Sequence, residues 1–197
     1  DTMTDYMVAN ALQFELIDKG AYLNPQVMRV PILLKPPYAE GIDGGTMVDT
    51  PVSLVDLAPT VLELAGVETP EMCDGVSLLR TISGEERPED RPILFEIWSH
   101  VMPNPSVGLV FRSETDEELY LFTYNATDEI DELYRLEHRR GLTNLFVDSE
   151  FSTVVDEAVE KLYAALARDQ RFRSYRNFLE LEYAGLLSGG GDRQHFV

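Results

Sequence analysis

Apolar and polar residues alternate with period two in four runs, Ile93–Trp98, Ser106–Phe111, Glu118–Tyr124 and Glu132–Leu136. Their short spacing predicts an antiparallel sheet, and Ser113-Glu114-Thr115-Asp116-Glu117 supplies a turn between the second and third runs. From about Ser152 to Asp169 the period lengthens to that of a helix, with Val155, Ala158, Val159, Leu162 and Leu166 on one stripe and Ser152, Asp156 and Glu157 marking the start. That stripe predicts a helix covering one face of the sheet. A further helical stretch, about Arg173 to Leu187, ends at the flexible Ser188-Gly189-Gly190-Gly191.

The first third of the chain reads differently. Arg29-Val30-Pro31-Ile32-Leu33-Leu34-Lys35 is a continuous apolar run closed by Pro36-Pro37, the pattern of a strand buried on both faces, with Pro31 near its start. A glycine-rich loop, Gly41-Ile42-Asp43-Gly44-Gly45, and a short extended piece around Met47-Val48 lead to a helix. Ser53 or Asp56 caps it, Pro59 is tolerated in its first turn, Val61, Leu62, Leu64 and Ala65 follow, and Gly66 stops it. Loop, strand, loop and helix in that order are the grammar of an α/β layer fold. The chain is therefore expected to divide into an α/β part over 1–90, a four-stranded antiparallel sheet with helices over 91–187, and a tail over 188–197.

Charge narrows the partners. Asp and Glu number 35 against 16 Lys and Arg, a formal net charge of −19. A nucleic-acid backbone and an anionic membrane surface are therefore excluded as default partners. Apolar runs as short as Val30–Leu34 do not span a bilayer, and a soluble protein is expected. The start, Asp1-Thr2-Met3-Thr4-Asp5, has neither the basic nor the apolar region of a signal peptide, which leaves export of a precursor open. A single cysteine, Cys73, excludes an internal disulfide framework. Only Lys19, Lys35 and Lys161 are lysines, and the acids are spread along the whole chain. A dispersed acidic, lysine-poor surface predicts a protein adapted to high salt, where screening removes self-repulsion.

Two long segments carry a family resemblance. Val52-Ser53-Leu54-Val55-Asp56-Leu57-Ala58-Pro59-Thr60-Val61-Leu62-Glu63-Leu64-Ala65-Gly66-Val67 is followed by Cys73-Asp74-Gly75-Val76-Ser77-Leu78-Leu79. Asp18-Lys19-Gly20 with Arg29-Val30-Pro31, Arg91-Pro92-Ile93-Leu94-Phe95-Glu96, and Glu132–Leu136 leading to Thr143-Asn144-Leu145 agree with them. In order and spacing these segments resemble the carboxy-terminal part of the sulfatase family, within the alkaline phosphatase superfamily. The resemblance implies that residues 1–90 end a doubly wound α/β catalytic sheet, with the small antiparallel sheet and its carboxy-terminal helix following.

It also implies a sulfuric ester hydrolase acting on a small-molecule or saccharide sulfate ester. The nucleophile motif of such enzymes, Cys- or Ser-x-Pro-x-Arg, matches neither Cys73 nor any serine here, so the nucleophile is expected in a missing amino-terminal portion. The resemblance assigns Lys19, ahead of the Arg29-Val30-Pro31 segment, to contact with the substrate sulfate, where a fixed positive charge stabilises the anion. In the family a second metal-binding segment resembles Asp-His-Gly-Asp/Glu. Here Asp5 fits its last acid, Thr2 and Met3 stand where Asp-His is expected, and Asn10 stands for a later histidine. Asp1 substitutes only with a shifted register. A divalent cation such as Ca²⁺ takes several oxygen ligands, so the implied metal belongs to a complete site and not to this chain alone.

Two alternatives stay open: a non-catalytic sulfatase-like partner or scaffold, favoured by Thr2, Met3 and Asn10, and a phosphodiesterase or phosphonate hydrolase of the same superfamily. Weaker candidates complete the reading. His100 fits a substrate-facing group or a strand end, and His138 sits in a surface loop. Asn125-Ala126-Thr127 has the form of a glycosylation sequon, or of a turn after a strand. Arg171–Phe178 mixes bases with aromatics, as a nucleic-acid contact does, or pairs its arginines with neighbouring acids on a helix.

Overall fold

A computed structural model of the chain describes residues 23, 25–35, 42, 44–45, 47–85, 91–97, 106–126, 131–136, 143–168 and 170–188. The chain forms two compact units, one made of Asp1–Val30 with Leu94–Val197, the other of Pro31–Ile93. The first is therefore discontinuous in sequence.

The discontinuous unit takes up β1 (Ile93–Ile97) from its second residue, Leu94, and holds β2 (Ser106–Arg112), β3 (Leu119–Asn125) and β4 (Glu132–Arg135) after it, the four strands lying side by side in chain order. The β2–β3 and β3–β4 pairs are antiparallel. The alternation read from the sequence fixes the register: Val107 faces Tyr124, Leu109 faces Phe122 and Phe111 faces Tyr120 across β2 and β3. These six, with Leu133 of β4, form one buried face. A helix, α2, follows at Ser152–Leu166 and lays Val154, Val155, Ala158, Val159, Leu162 and Leu166 against that face. Each of the valines and leucines removed from water stabilises the unit by about 1.5–3 kcal/mol. The helix stops three residues before the expected Asp169, within the ordinary fraying of a helix end. The expected continuous stretch from Arg173 to Leu187 is broken at Tyr183 into α3 (Arg173–Glu182) and α4 (Ala184–Leu187).

The other face of the sheet is covered too. Leu121 is fully buried there, and Leu23 approaches so closely that a Cβ on Gly108 would meet its Cδ1 at 3.3 Å. Thr123 Oγ1 donates to the Leu23 carbonyl at 3.0 Å. A period of two thus comes with burial on both sides in β2 and β3.

The second unit holds a 3₁₀ turn at Leu54–Asp56, α1 at Leu57–Leu64, and a single helical turn at Leu79–Ile82. Ser53 begins this run in a capping box with Asp56, and Gly66 ends it at φ +67°, a conformation that suits glycine. The expectation for Arg29–Lys35 is corrected: the segment forms no strand, and Leu33 is 93% exposed. An apolar run becomes a buried strand only where other strands flank it, and among the described residues none pairs with this one. Met47 is likewise 85% exposed and lies in no strand.

Candidate functional site

The longest recognition segments meet at a buried carboxylate. Asp56, at the end of the 3₁₀ turn, is 1% exposed. Its Oδ2 accepts from the Ser53 amide at 2.8 Å and its Oδ1 from the Val76 amide at 2.9 Å. Arg91 Nη2 reaches both oxygens, at 2.6 and 2.8 Å, while its Nη1 donates to the Asp74 carbonyl at 3.3 Å. One turn on, Thr60 Oγ1 donates to the Asp56 carbonyl at 2.6 Å and accepts from the Leu78 amide at 2.9 Å. Glycine is required beside this junction, because a Cβ at position 75 would lie 2.1 Å from the Val55 carbonyl oxygen. Residues 52–67, 73–79 and 91 are thereby stapled into one piece. With both Asp56 oxygens engaged, the carboxylate is an organiser and not an acid, base or metal ligand.

A second staple serves the sheet. Asn144 Oδ1 accepts from the Leu133 and Phe146 amides, each at 3.0 Å, and its Nδ2 donates to the Asp131 carbonyl at 3.1 Å. Arg135 lies 5.6 Å from the Tyr120 ring centroid and 5.3 Å from that of Phe151. Its Nη2 donates to Tyr120 Oη at 3.0 Å, and that hydroxyl donates to Asp116 Oδ2 at 2.7 Å. Burial above all, and then the Asp116 bond, pushes the Tyr120 phenol up to about 12. The Glu132–Leu136 and Thr143–Leu145 motif therefore builds architecture.

The residues picked for chemistry, Lys19, Asp5 and Asp1, lie outside the described residues, as do Asn10, His100 and His138. Among the described residues no three His, Cys, Asp or Glu side chains come together as donors for a metal ion. Asn125 accepts from Ser106 Oγ at 2.6 Å, which ties β3 to β2. On α3, Arg176 pairs with Glu180 at 3.4 Å and stacks at 4.7 Å over Tyr163, the pairing with acids expected of that stretch. What the sequence reading missed is the joint role of Asp56, Thr60 and Arg91: Asp56 was legible as a cap, whereas its bond to a residue 35 positions away has no local signature.

A family profile described as N-sulphoglucosamine sulphohydrolase, C-terminal, matches residues 13–168. The chain belongs to the sulfatase family of hydrolases, matching its carboxy-terminal portion. The uncharacterized sulfatase YidJ of Escherichia coli (strain K12) is 31% identical over 167 residues, which cover 82% of this chain and 31% of that protein. The N-acetylglucosamine-6-O-sulfatase of Bacteroides thetaiotaomicron is 25% identical over 143 residues, covering 72% of this chain and 25% of that protein. A crystal structure assigned to a sulfatase from the same organism superposes with a TM-score of 0.50 at 25% identity, over 60% of this chain and 28% of that one. The chain thus spans about a third of the length of the curated relatives it matches. The architecture is accordingly α/β, with the small antiparallel sheet and its helices following the segment around α1.

Proposed function

We propose that this chain is the carboxy-terminal part of a sulfuric ester hydrolase whose nucleophile and metal ligands lie in a preceding stretch of polypeptide. The observation that carries the reading is the second unit's apolar exterior. Leu54, Ala58, Val61 and Ala65, spaced by four, three and four residues, form an exposed apolar stripe along the Leu54–Asp56 turn and α1, and Leu33 and Met47 are exposed as well. Its large buried apolar side chains, Leu78 and Ile93, make a small core for a unit of this length. A stripe of this kind calls for a further layer of structure, and a chain spanning 31% of its relative leaves room for one.

In that assembly Lys19 holds the sulfate of a small-molecule or saccharide ester by its fixed positive charge. Among the described residues no donor set for a divalent cation comes together, and the cation of the complete site would be held by side chains of the preceding stretch. The test is hydrolysis of 4-nitrophenyl sulfate and glucosamine 6-sulfate by the polypeptide extended towards its amino terminus as its source encodes it. Turnover of a sulfate ester is expected, with Lys19→Ala lowering kcat/KM on the order of 100-fold while the fold is kept. Faster turnover of a phosphonate or phosphodiester would reassign the substrate class within the superfamily. The competing reading, a non-catalytic partner, is favoured by Thr2, Met3 and Asn10 at the family's ligand positions; it predicts no turnover of any of these esters. The surplus of 35 acids over 16 bases is read as adaptation to high salt.

A further inference from the structure

The family match ends at residue 168, whereas α3 and α4 occupy Arg173–Glu182 and Ala184–Leu187. This helix pair is an addition to the matched segment, yet it is built into the same core: Tyr175, Leu179 and Tyr183 are buried with the residues of β2, β3 and α2. Its polar ties to the end of the sheet join acids to phenols. Asp131, directly before β4, is 4% exposed, and its Oδ1 accepts from the Asn125 amide at 2.9 Å. The Tyr183 hydroxyl, at the break between α3 and α4, donates to Asp131 Oδ2. Beside them Tyr124 of β3 is hydrogen-bonded to Glu182, the last residue of α3.

We propose that Asp131 and Tyr183 form a pH-operated latch that docks the carboxy-terminal helix pair on the end of the sheet and weakens as Asp131 ionises. The groups facing Asp131 are Asn125 and Tyr124 from β3, Glu132 from β4, Asn144 from the loop after β4, and Glu182 and Tyr183 from the helices. The charges acting on it, those of Glu182 and Glu132, are both negative. Burial pushes the Asp131 carboxyl up to about 7, against the bonds from Tyr183 and Asn125, which favour its ionised form. Burial and the neighbouring Asp131 also push the Tyr183 phenol well up, so it stays a donor throughout.

The direction of the linkage follows. With Asp131 raised in the docked state and ordinary when the helices swing away and admit water, docking is strongest below the ordinary aspartate range. It is lost progressively as pH rises through about 7, and changes little beyond. Between pH 5.5 and 8 the local opening equilibrium should rise roughly 30-fold.

Hydrogen exchange of the full chain, read as protection factors that already divide out the intrinsic rate at each pH, tests this. Protection over 173–187 should fall roughly 30-fold from pH 5.5 to 8 while peptides of β3 and α2 keep theirs. Asp131→Asn should abolish the fall. Tyr183→Phe removes a donor that favours the ionised carboxylate, so its fall should move to higher pH; this variant decides the matter if Asp131→Asn does not fold. Equal protection at both pH values, a fall retained in Asp131→Asn, an unmoved midpoint in Tyr183→Phe, or a loss shared by all peptides overturns the latch.

Discussion

Replacing Asp56 with alanine removes one side chain from four donor contacts at once. The Ser53 and Val76 amides lose their acceptor, and Arg91, 29% exposed, loses its carboxylate. Removing one partner of a fully buried ion pair costs about 3–5 kcal/mol; with Arg91 still reaching water, the lower part of that range applies. Loss of the capping box at Ser53 adds about 1 kcal/mol, so Asp56→Ala should destabilise the Pro31–Ile93 unit by about 3–4 kcal/mol. Asp56→Asn keeps an oxygen for one amide and should cost about half as much. Urea unfolding followed by hydrogen exchange in the 54–64 peptide reads the unit directly, and a double-mutant cycle with Arg91→Leu isolates the pair, with a coupling of about 1.5–3 kcal/mol expected. An Asp56→Ala protein within 1 kcal/mol of the parent, or a coupling near zero, refutes the assignment of this carboxylate as organiser.

Two further outcomes are expected. Gly75→Ala drives a Cβ to 2.1 Å from the Val55 carbonyl oxygen, a backbone atom that cannot turn aside, and should cost about 3 kcal/mol in the same urea titration; a cost below 1 kcal/mol would show that the 73–79 segment shifts freely. With a net charge of −19, the melting temperature should be higher in 2 M KCl than in dilute buffer, and an unchanged or lower value would remove the adaptation to high salt.

Local periodicity made the sheet and α2 legible. Val107, Leu109 and Phe111 announce a strand by alternation, and the Val155 to Leu166 stripe announces a helix, because each signal is written within a few neighbouring residues. Arg29–Lys35 was misread for the complementary reason. Its composition suits a doubly buried strand, but burial depends on what stands beside it. The same limit hid the Asp56–Arg91 pair and the Asp131–Tyr183 bond, which join positions 35 and 52 residues apart. The chemistry expected of Lys19, Asp5 and Asp1 came from the family resemblance, and these residues fall outside the described residues.

The bond from Thr123 to the Leu23 carbonyl spans 100 residues and closes a unit that the chain leaves after Val30 and rejoins at Leu94. On a ribosome adding about 5–20 residues per second, Leu23 waits on the order of 5–20 s before its partner strand is made. During that interval the intervening 63 residues of Pro31–Ile93 emerge complete. The order of synthesis thus favours the inserted unit settling before the unit that encloses it in sequence, and leaves Leu23 in need of protection from unproductive contacts until β3 arrives.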